Sequence, residues 1–269
     1  MKSVKLHQFF SIYSFRIFCR LMQRNLLDIR KRLYPLFIDG LVVLIADAFL
    51  ISRIFPMFNI NLDYLAPFFV SDTFILLLLL QGDTFCSRVR IDVLNNRFIY
   101  YYLTLPIHWG WIFIMFGLTF MAELCVISLP FMIIGTYFFS TVVNNVSPHW
   151  GSFFLHYCAS LLFIATFFLS VVFRYSHSWM ESNLWPRRVL PMFTFGAINA
   201  TWYQIYSFFP FLAYIGLLNP LTYLAEGFRV SLLSGQYLPL PISVGMLLAS
   251  SIINIYFLRR GVMKRLDPV

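Results

Sequence analysis

Acidic residues lie inside three long apolar runs of this sequence, where carboxylates are rare. Asp39 and Asp47 fall in the first run, Asp72 in the second and Glu123 in the third. Because an ionised side chain is costly to place in hydrocarbon, such residues normally face a bundle interior or a water-filled cavity. Asp47, Asp72 and Glu123 therefore indicate either a translocation path or proton site, or neutral acids hydrogen-bonded to a neighbouring helix. For Asp39, close to the end of its run, the structural role is favoured.

A second stretch with charges, NPLTYLAEGFRVSLL, stands between the last two apolar runs. Asn219 is a suitable N-cap, and Pro220 suits the first turn of a helix. The pattern predicts a short helix over Leu221–Ser234, with Gly235 suited to its C-terminal end.

Two opposite charges within this predicted helix, Glu226 and Arg229, are three residues apart. Side chains at that spacing lie on one helix face and can form an ion pair.

The familiar catalytic motifs do not occur in the sequence. GxxxxGK[ST], HExxH and GxSxG are missing, and the four cysteines are too widely spaced to indicate a metal site. Nothing in the chain is therefore expected to hydrolyse ATP unaided, and no metal or other cofactor is predicted on it. The five histidines are scattered and are predicted as surface or interface residues: His7, His108, His149, His156 and His177.

The composition makes the bilayer the solvent for much of the chain. The sequence is 60% hydrophobic and 12% charged, whereas a soluble domain is about one quarter charged. Its mean hydropathy is +0.76. The net charge of +9 is a topology signal before it is a signal for nucleic acid, which is not an expected partner.

Six apolar runs are long enough to cross a bilayer, which takes about 20 residues, with about 17 still possible. The fold class predicted is therefore an all-α polytopic membrane protein. The third run can extend beyond the membrane or kink at Pro130. The runs are Leu33–Phe55, Leu62–Gln81, Trp109–Phe139, Phe153–Phe173, Val189–Tyr206 and Ile242–Leu258.

The basic residues fix an orientation for these runs. Six crossings place eighteen of the twenty Lys and Arg on one side: eight before the first run, three after the second, three after the fourth and four at the C-terminus. Only Arg53 and Arg229 fall on the other side. The positive-inside rule then places both termini in the cytoplasm.

A seventh crossing is the alternative. Ser207–Leu218, SFFPFLAYIGLL, is apolar, but about 12 residues are too few to span, and a seventh crossing would send the basic C-terminus outside. A re-entrant half-helix is favoured, because such a segment is tolerated where protein or a water-filled cavity surrounds it.

Residues 1–32 are predicted as a cytoplasmic amphipathic helix, and residues 33–269 as the transmembrane domain. The apolar face comprises Phe15, Phe18, Met22, Leu26, Ile29 and Leu33, and the opposite face Arg16, Arg20, Gln23, Arg24 and Lys31. Such a helix lies in the inner membrane interface, with its basic face toward anionic headgroups. The alternative is a helix packed on a soluble partner.

Four features together point to a known family. They are the amphipathic N-terminal helix, a segment before the third span that ends in LTLPIHWGWI, six spans with both termini inside, and the late phrase LLNPLTYLAEGFRVSLLSG. With these, nearly the whole chain resembles the type-2 ABC exporter permeases, membrane subunits whose ATPase is a separate polypeptide. The two phrases are similar to the family's L-x-x-P-I-S and NP-[LI]-[TS]-Y…R patterns. His108 departs from the usual Ser, and FGAINATWYQIYSFFPF departs from a more Gly/Pro-rich stretch.

The resemblance implies a second permease copy, identical or similar, and two ATPase subunits that bind ATP and Mg²⁺. Residues 82–105 would form the cytoplasmic coupling segment that docks on the ATPase. The residues expected to carry that coupling are Arg88, Arg90, Asp92, Asn95, Asn96 and Arg97.

The resemblance also implies a re-entrant helical hairpin over residues 207–234, between spans five and six, at the extracellular end of the pathway. There the Glu226–Arg229 pair would be either part of a gate or a structural cap whose charges keep the outer surface soluble. The path or outer gate would include Asp47, Asp72, Glu123, Trp202, Tyr206, Glu226 and Arg229.

The expected function is export across the bacterial inner membrane, in contact with its lipids. The substrate would be a hydrophobic drug-like molecule, a lipid or a lipid-linked glycan. An aromatic run could stack on such a substrate or form an interfacial belt: Trp202, Tyr203, Tyr206, Phe208, Phe209, Phe211 and Tyr214.

Two other classes of function stay open. An intramembrane enzyme could modify a lipid with Asp47, Asp72 or Glu123, although such enzymes usually cluster His or paired acids near one interface. A membrane scaffold without transport activity is the third possibility.

Overall fold

A computed structural model describes residues 12–54, 57–58, 62–91, 101–102, 104–105, 107–142, 148–175, 183–198 and 200–266. These residues are almost entirely helical and contain no β-strand. The α-helices of these described ranges are α1 (Ile12–Phe49), α2 (Leu62–Ile91), α3 (Trp109–Val142), α4 (Trp150–Arg174), α5 (Leu190–Thr194), α6 (Trp202–Phe208), α7 (Pro210–Gly216), α8 (Pro220–Leu232) and α9 (Leu240–Leu266). π-helical turns follow α1 (Leu50–Ile54) and precede α5 (Trp185–Val189).

Three helices in the described part of the chain are long and apolar enough to cross a membrane, as the composition predicts. Their candidate spans are Gly110–Tyr137 in α3, Trp150–Arg174 in α4 and Leu240–Lys264 in α9. The α3 helix continues through Pro130. The predicted runs start close to where these helices start, but α9 extends two turns beyond Leu258.

The N-terminal amphipathic segment and the first apolar run belong to one helix. The α1 helix has 38 residues and passes the expected boundary at Leu33 without interruption, with Pro35 inside it. Its apolar face packs on its own chain, because Phe18 and Met22 join a cluster with Tyr102, Ile112 and Met115. Phe18 and Met22 are thus partly covered by the chain itself, whereas Phe15 and Leu26 of the same face are exposed, and the interfacial position of this helix stays a prediction.

The fifth predicted run, Val189–Tyr206, is not a continuous helix. The α5 helix ends at Thr194, a turn follows, and Thr201 starts α6 with a capping box. In that turn Ala197 adopts the left-handed region with φ 51°. The predicted half-helix Ser207–Leu218 is also divided, because the backbone leaves the helical conformation at Phe209, between α6 and α7.

One end of the bundle collects basic segments, and it is called the basic end here. The C-terminal ends of α4 and α9 meet there, since a Cβ on Gly261 would lie 2.8 Å from Phe173 O. Cys86 of α2 contacts Phe168 O at 3.6 Å, and Phe113 of α3 packs on Phe173. The end of α2 and the start of α3 therefore lie at the basic end too.

The opposite, or far, end holds the start of α4 and the end of α8. His149 N donates to Ser231 O at 2.9 Å, while His156 Nε2 lies 3.0 Å from Leu224 O. The α8 helix therefore runs antiparallel to α4, and its N-terminus points toward the interior of the bundle. Its residues 221–229 are all buried, because α2, α4 and α9 surround it.

Candidate functional site

The Glu226–Arg229 pair lies at the centre of a cluster of polar contacts near the far end. Arg229 Nη1 and Glu226 Oε1 are 2.8 Å apart, and neither side chain has any exposed surface. The predicted pairing at i, i+3 is confirmed in the structure. A cap that keeps an outer surface soluble is wrong for this pair, because both charges are enclosed by protein.

Arg229 binds the turn between α5 and α6. Its Nη1 donates to Ala197 O at 2.6 Å and to Ala200 O at 3.3 Å, and its Nη2 donates to Ile198 O. These carbonyls lie where the chain leaves helical structure, and a buried carbonyl without a partner is costly. One side chain thus satisfies the turn that interrupts the fifth apolar run.

Glu226 holds two further backbone segments. Its Oε1 accepts from Trp202 N at 3.1 Å, and its Oε2 accepts from Leu238 N at 3.1 Å. Trp202 begins α6, and Leu238 lies just before α9. The carboxylate therefore joins α6 and the entry to α9 to its own helix, α8.

Two more titratable groups, Asp72 and Tyr237, interact with this pair. The four residues together are called the ion-pair cluster. The Asp72 carboxylate on α2 adds a favourable charge interaction with Arg229. Burial raises the pKa of the Tyr237 phenol; the charge of Arg229 opposes that rise, and the charge of Glu226 adds to it. The cluster thus contains two carboxylates and one guanidinium, with a phenol beside them.

The start of α8 follows its sequence signals, but its end does not. Asn219 Oδ1 accepts from Leu221 N at 3.0 Å, and Asn219 Nδ2 donates to Met192 O at 2.6 Å. The predicted N-cap is confirmed. Gly235 does not terminate the helix in the left-handed conformation, because Leu233 ends it in an extended one and no glycine among the described residues has a positive φ.

The predicted path residues Trp202 and Tyr206 lie on α6 beside this cluster. Trp202 Nε1 donates to Ala213 O of α7 at 2.9 Å, and its ring stacks on Tyr206 with centroids 5.2 Å apart. Tyr214 meets Tyr206 edge-on. Phe208, Phe209, Phe211 and Tyr214 of the aromatic run are exposed at the corner between α6 and α7.

Close contact between α4 and α8 depends on two residues that the sequence did not single out together. His156 is completely buried, so its prediction as a surface or interface residue is wrong. A Cβ on Gly227 would overlap the His156 ring. The glycine in the phrase AEGFR is the only local signal that could have indicated this approach.

At the basic end, Arg88 and Glu123 form a second ion pair. Arg88 Nη2 lies 2.6 Å from Glu123 Oε1, the carboxylate is 2% exposed and the arginine 30%. The sequence predicts Arg88 in the cytoplasmic coupling segment and Glu123 in a substrate path. The structure brings them together, because α2 continues as a helix to Ile91 and carries Arg88 against α3.

The other predicted site residues are not brought together in the described structure. The side chains of Asp39, Asp47 and Arg90 lie outside the described residues, as do Asp92, Asn95, Asn96 and Arg97. Within the part of the chain that is described, no group of three or more His, Cys, Asp or Glu is placed to hold a metal ion.

Comparisons with protein-family models, curated proteins and solved structures give no match to this chain. The two ion pairs and their surroundings therefore carry the functional argument.

Proposed function

We propose that this chain is the membrane-spanning permease subunit of an ATP-driven exporter of the type-2 ABC class, with energy supplied by a separate ATPase. The observation that carries the proposal is α8. It is a capped helix of 13 residues, about 20 Å long, which is too short to cross a bilayer and yet is buried on all sides. A re-entrant hairpin between spans five and six accounts for both properties.

Six crossings are proposed on the same geometry. Helices α1, α2, α3, α4 and α9 supply five, since each has at least 25 residues and a bilayer takes about 20. Residues 183–198 return the chain from Arg188, beside Tyr175 at the basic end, to Ile198, beside Arg229. This interrupted fifth crossing is tolerated because protein surrounds its turn.

The basic end faces the cytoplasm in this proposal. Arg174 lies over the Phe257 ring and Arg188 over the Tyr175 ring, so basic residues of two separate segments gather at one end. The positive-inside rule places such an end in the cytoplasm of a bacterial inner-membrane protein, together with both termini.

Coupling to the ATPase is assigned to residues 82–105, whose described part lies at the basic end, and to the N-terminal half of α1. The contact of Arg24 with Tyr102 joins α1 to this segment, and the contact of Phe18 with Trp111 joins α1 to the start of α3. A push on either element would therefore reach the same group of helices. Nucleotide can shift the permease only if the docking surface binds the two ATPase states with different free energies.

Substrate would pass between two copies of the chain, and the hairpin would gate the outer end. The exposed aromatic corner between α6 and α7 suits a flat apolar or sugar-bearing substrate, in the form of a drug-like compound, a lipid or a lipid-linked glycan. The lipid-modifying enzyme is less favoured, because the carboxylate of Glu123, one of its candidate acids, is bound to Arg88.

Co-purification with an ATPase tests the proposal. The chain, tagged and expressed at its native level, is expected to bring down an ABC ATPase, and export in proteoliposomes is expected to require ATP. Asp92→Ala with Arg97→Ala should reduce the ATPase recovered, while Arg53→Ala, predicted on the opposite side, should not. A permease without any ATPase, whose transport is unaffected by ATP, would contradict the proposal.

A further inference from the structure

A cleft of about 590 Å³ opens at the basic end between α1, α2 and α3. Its polar wall contains more cations than anions: Arg24, Lys31, Arg32 and Arg88 against Asp28 and Glu123. The cleft is separate from the ion-pair cluster at the far end, and the function proposed above does not use it as a binding site.

The two carboxylates of the cleft already have cationic partners. Glu123 pairs with Arg88 at 2.6 Å, and Asp28 pairs with Lys31 at 3.6 Å. No carboxylate among the described residues pairs with Arg24 or Arg32. Among the described residues the cations that line the cleft thus exceed the anions by two, which favours an anion entering the cleft.

Neutral hydrogen-bonding groups stand beside the arginines. Arg24 donates to the Tyr102 hydroxyl, which holds the guanidinium over the cleft wall. Asn25 Nδ2 donates to Thr119 Oγ1 at 3.3 Å on the facing helix. Guanidinium groups present paired N–H donors that match the oxygens of a phosphate, so this wall suits a phosphate group.

The rest of the lining is apolar, and α1 continues the apolar surface outward. Ile29, Phe85, Val89 and Phe116 complete the cleft. Directly after Arg32, α1 exposes large apolar side chains: Tyr34, Phe37, Ile38, Leu41, Val42 and Ile45. A ligand with a phosphate at one end and hydrocarbon at the other matches both surfaces, whereas free phosphate matches only the first.

We propose that this cleft binds the phosphate-bearing headgroup of an anionic membrane lipid. The acyl chains of the lipid lie along the exposed apolar side chains of α1 that follow Arg32. Arg24 and Arg32 contact the phosphate, and Arg88 stays with Glu123. Basic pockets between helices on the cytoplasmic side of a membrane bind headgroups in this way. The inference does not depend on an ATPase partner or on transport.

Native mass spectrometry of the detergent-purified chain tests this. The probe is dihexanoylphosphatidylglycerol, which is monomeric in solution, so general attraction to a charged membrane surface plays no part. We expect one lipid bound per chain. Arg24→Gln with Arg32→Gln should weaken its binding about 30-fold, since two cations near an anionic headgroup are lost.

Matched variants and competitors separate the explanations. Arg16→Gln with Arg20→Gln removes the same charge from exposed positions of α1 that do not line the cleft, and it should leave binding unchanged. Arg24→Lys with Arg32→Lys should retain most of the binding and shows that the cleft still folds. Dihexanoylphosphatidylcholine and inorganic phosphate should not displace the probe at equal concentration.

Three results would overturn the inference. One is equal loss of binding in the Arg16 and Arg20 control. Another is displacement of the probe by inorganic phosphate, which would make the cleft a site for soluble phosphate. The third is unchanged binding in the Arg24→Gln, Arg32→Gln variant.

Discussion

Arg229 has no exposed surface, and its charge is stabilised entirely within the protein. It forms an ion pair with Glu226 and donates to three backbone carbonyls of the α5–α6 turn. Removing one member of a buried pair leaves the other charge uncompensated, which costs far more than the pair contributes as a whole. The residue is therefore a strong determinant of stability at the far end.

Arg229→Met should lower the free energy of unfolding by about 3–5 kcal/mol, because Glu226 stays buried without its cation. The change can be measured by SDS-induced unfolding in mixed micelles, followed by circular dichroism. Arg187→Met, at an exposed position, serves as the control. Glu226→Leu added to Arg229→Met should restore part of the loss. A double variant less stable than Arg229→Met would contradict this account.

Gly227→Ala should destabilise the protein by about 1–3 kcal/mol, since its Cβ would overlap the His156 ring and the helices must move apart. Gly245→Ala is the matched control, because a Cβ there meets nothing within 4 Å and alanine favours a helix. Thermal unfolding in detergent compares the two. Adding His156→Ala to Gly227→Ala should recover stability, and failure to do so would count against direct contact as the cause.

The stability of the α6 helix depends on its N-terminal cap more than on its length. Thr201 Oγ1 accepts from Gln204 N at 3.2 Å, and Gln204 Oε1 accepts from Thr201 N at 2.9 Å. A helix of seven residues has little stability of its own. Its N-terminus is therefore fixed by this reciprocal pair and by Glu226, which binds Trp202 N.

Thr201→Ala should destabilise the hairpin by about 1 kcal/mol and increase amide hydrogen exchange across residues 202–208, because one N-terminal donor loses its acceptor. Hydrogen exchange with mass spectrometry gives the local readout. Ser207→Ala, on the same helix but exposed, should change exchange much less. Equal effects of both substitutions would show that the cap does not fix α6.

The start of α8 could be predicted because its signals are local. The break after Thr194 and the second ion pair could not be predicted, because they depend on contacts between residues far apart in the chain. Asn219 and Pro220 act within one helical turn, so the sequence states their effect directly. The break after Thr194 depends on Arg229, more than 30 residues later in the chain. The Arg88–Glu123 pair likewise joins residues 35 apart. Such pairings have no local periodicity or spacing that a single sequence displays.

The lengths of the helices could likewise be predicted only in part. Hydropathy marked the apolar part of α2 and α9, but both continue for two or more turns past the last apolar residue of the run. The α2 helix continues beyond Gln81, where Phe85, Cys86 and Val89 pack in the core of the bundle. Arg88, predicted in the segment that follows the second span, therefore lies on the same helix as that span.

Basic segments gather at one end of the molecule. The side of the membrane that this end faces therefore tests the proposed topology. Alkaline phosphatase fused after Val269 should be inactive, and a fusion after Pro148, before α4, should be active, because the proposed orientation keeps the basic end in the cytoplasm. Whole-cell phosphatase activity, normalised to protein level, measures both. A fusion after Arg174 provides a second cytoplasmic point. Activity after Val269 would contradict the six-crossing arrangement.

The hydrogen bonds from Arg229 to the α5–α6 turn have a consequence for biosynthesis. Ala197, Ile198 and Ala200 are synthesised well before Arg229. Their carbonyls therefore lack this donor while the nascent chain ends before α8. We expect the turn to stay hydrated until α8 folds back, and residues 183–239 to leave the insertion machinery as one unit. Chains halted at Leu218 should then be degraded faster than chains halted at Ser234, although both contain the same long helices.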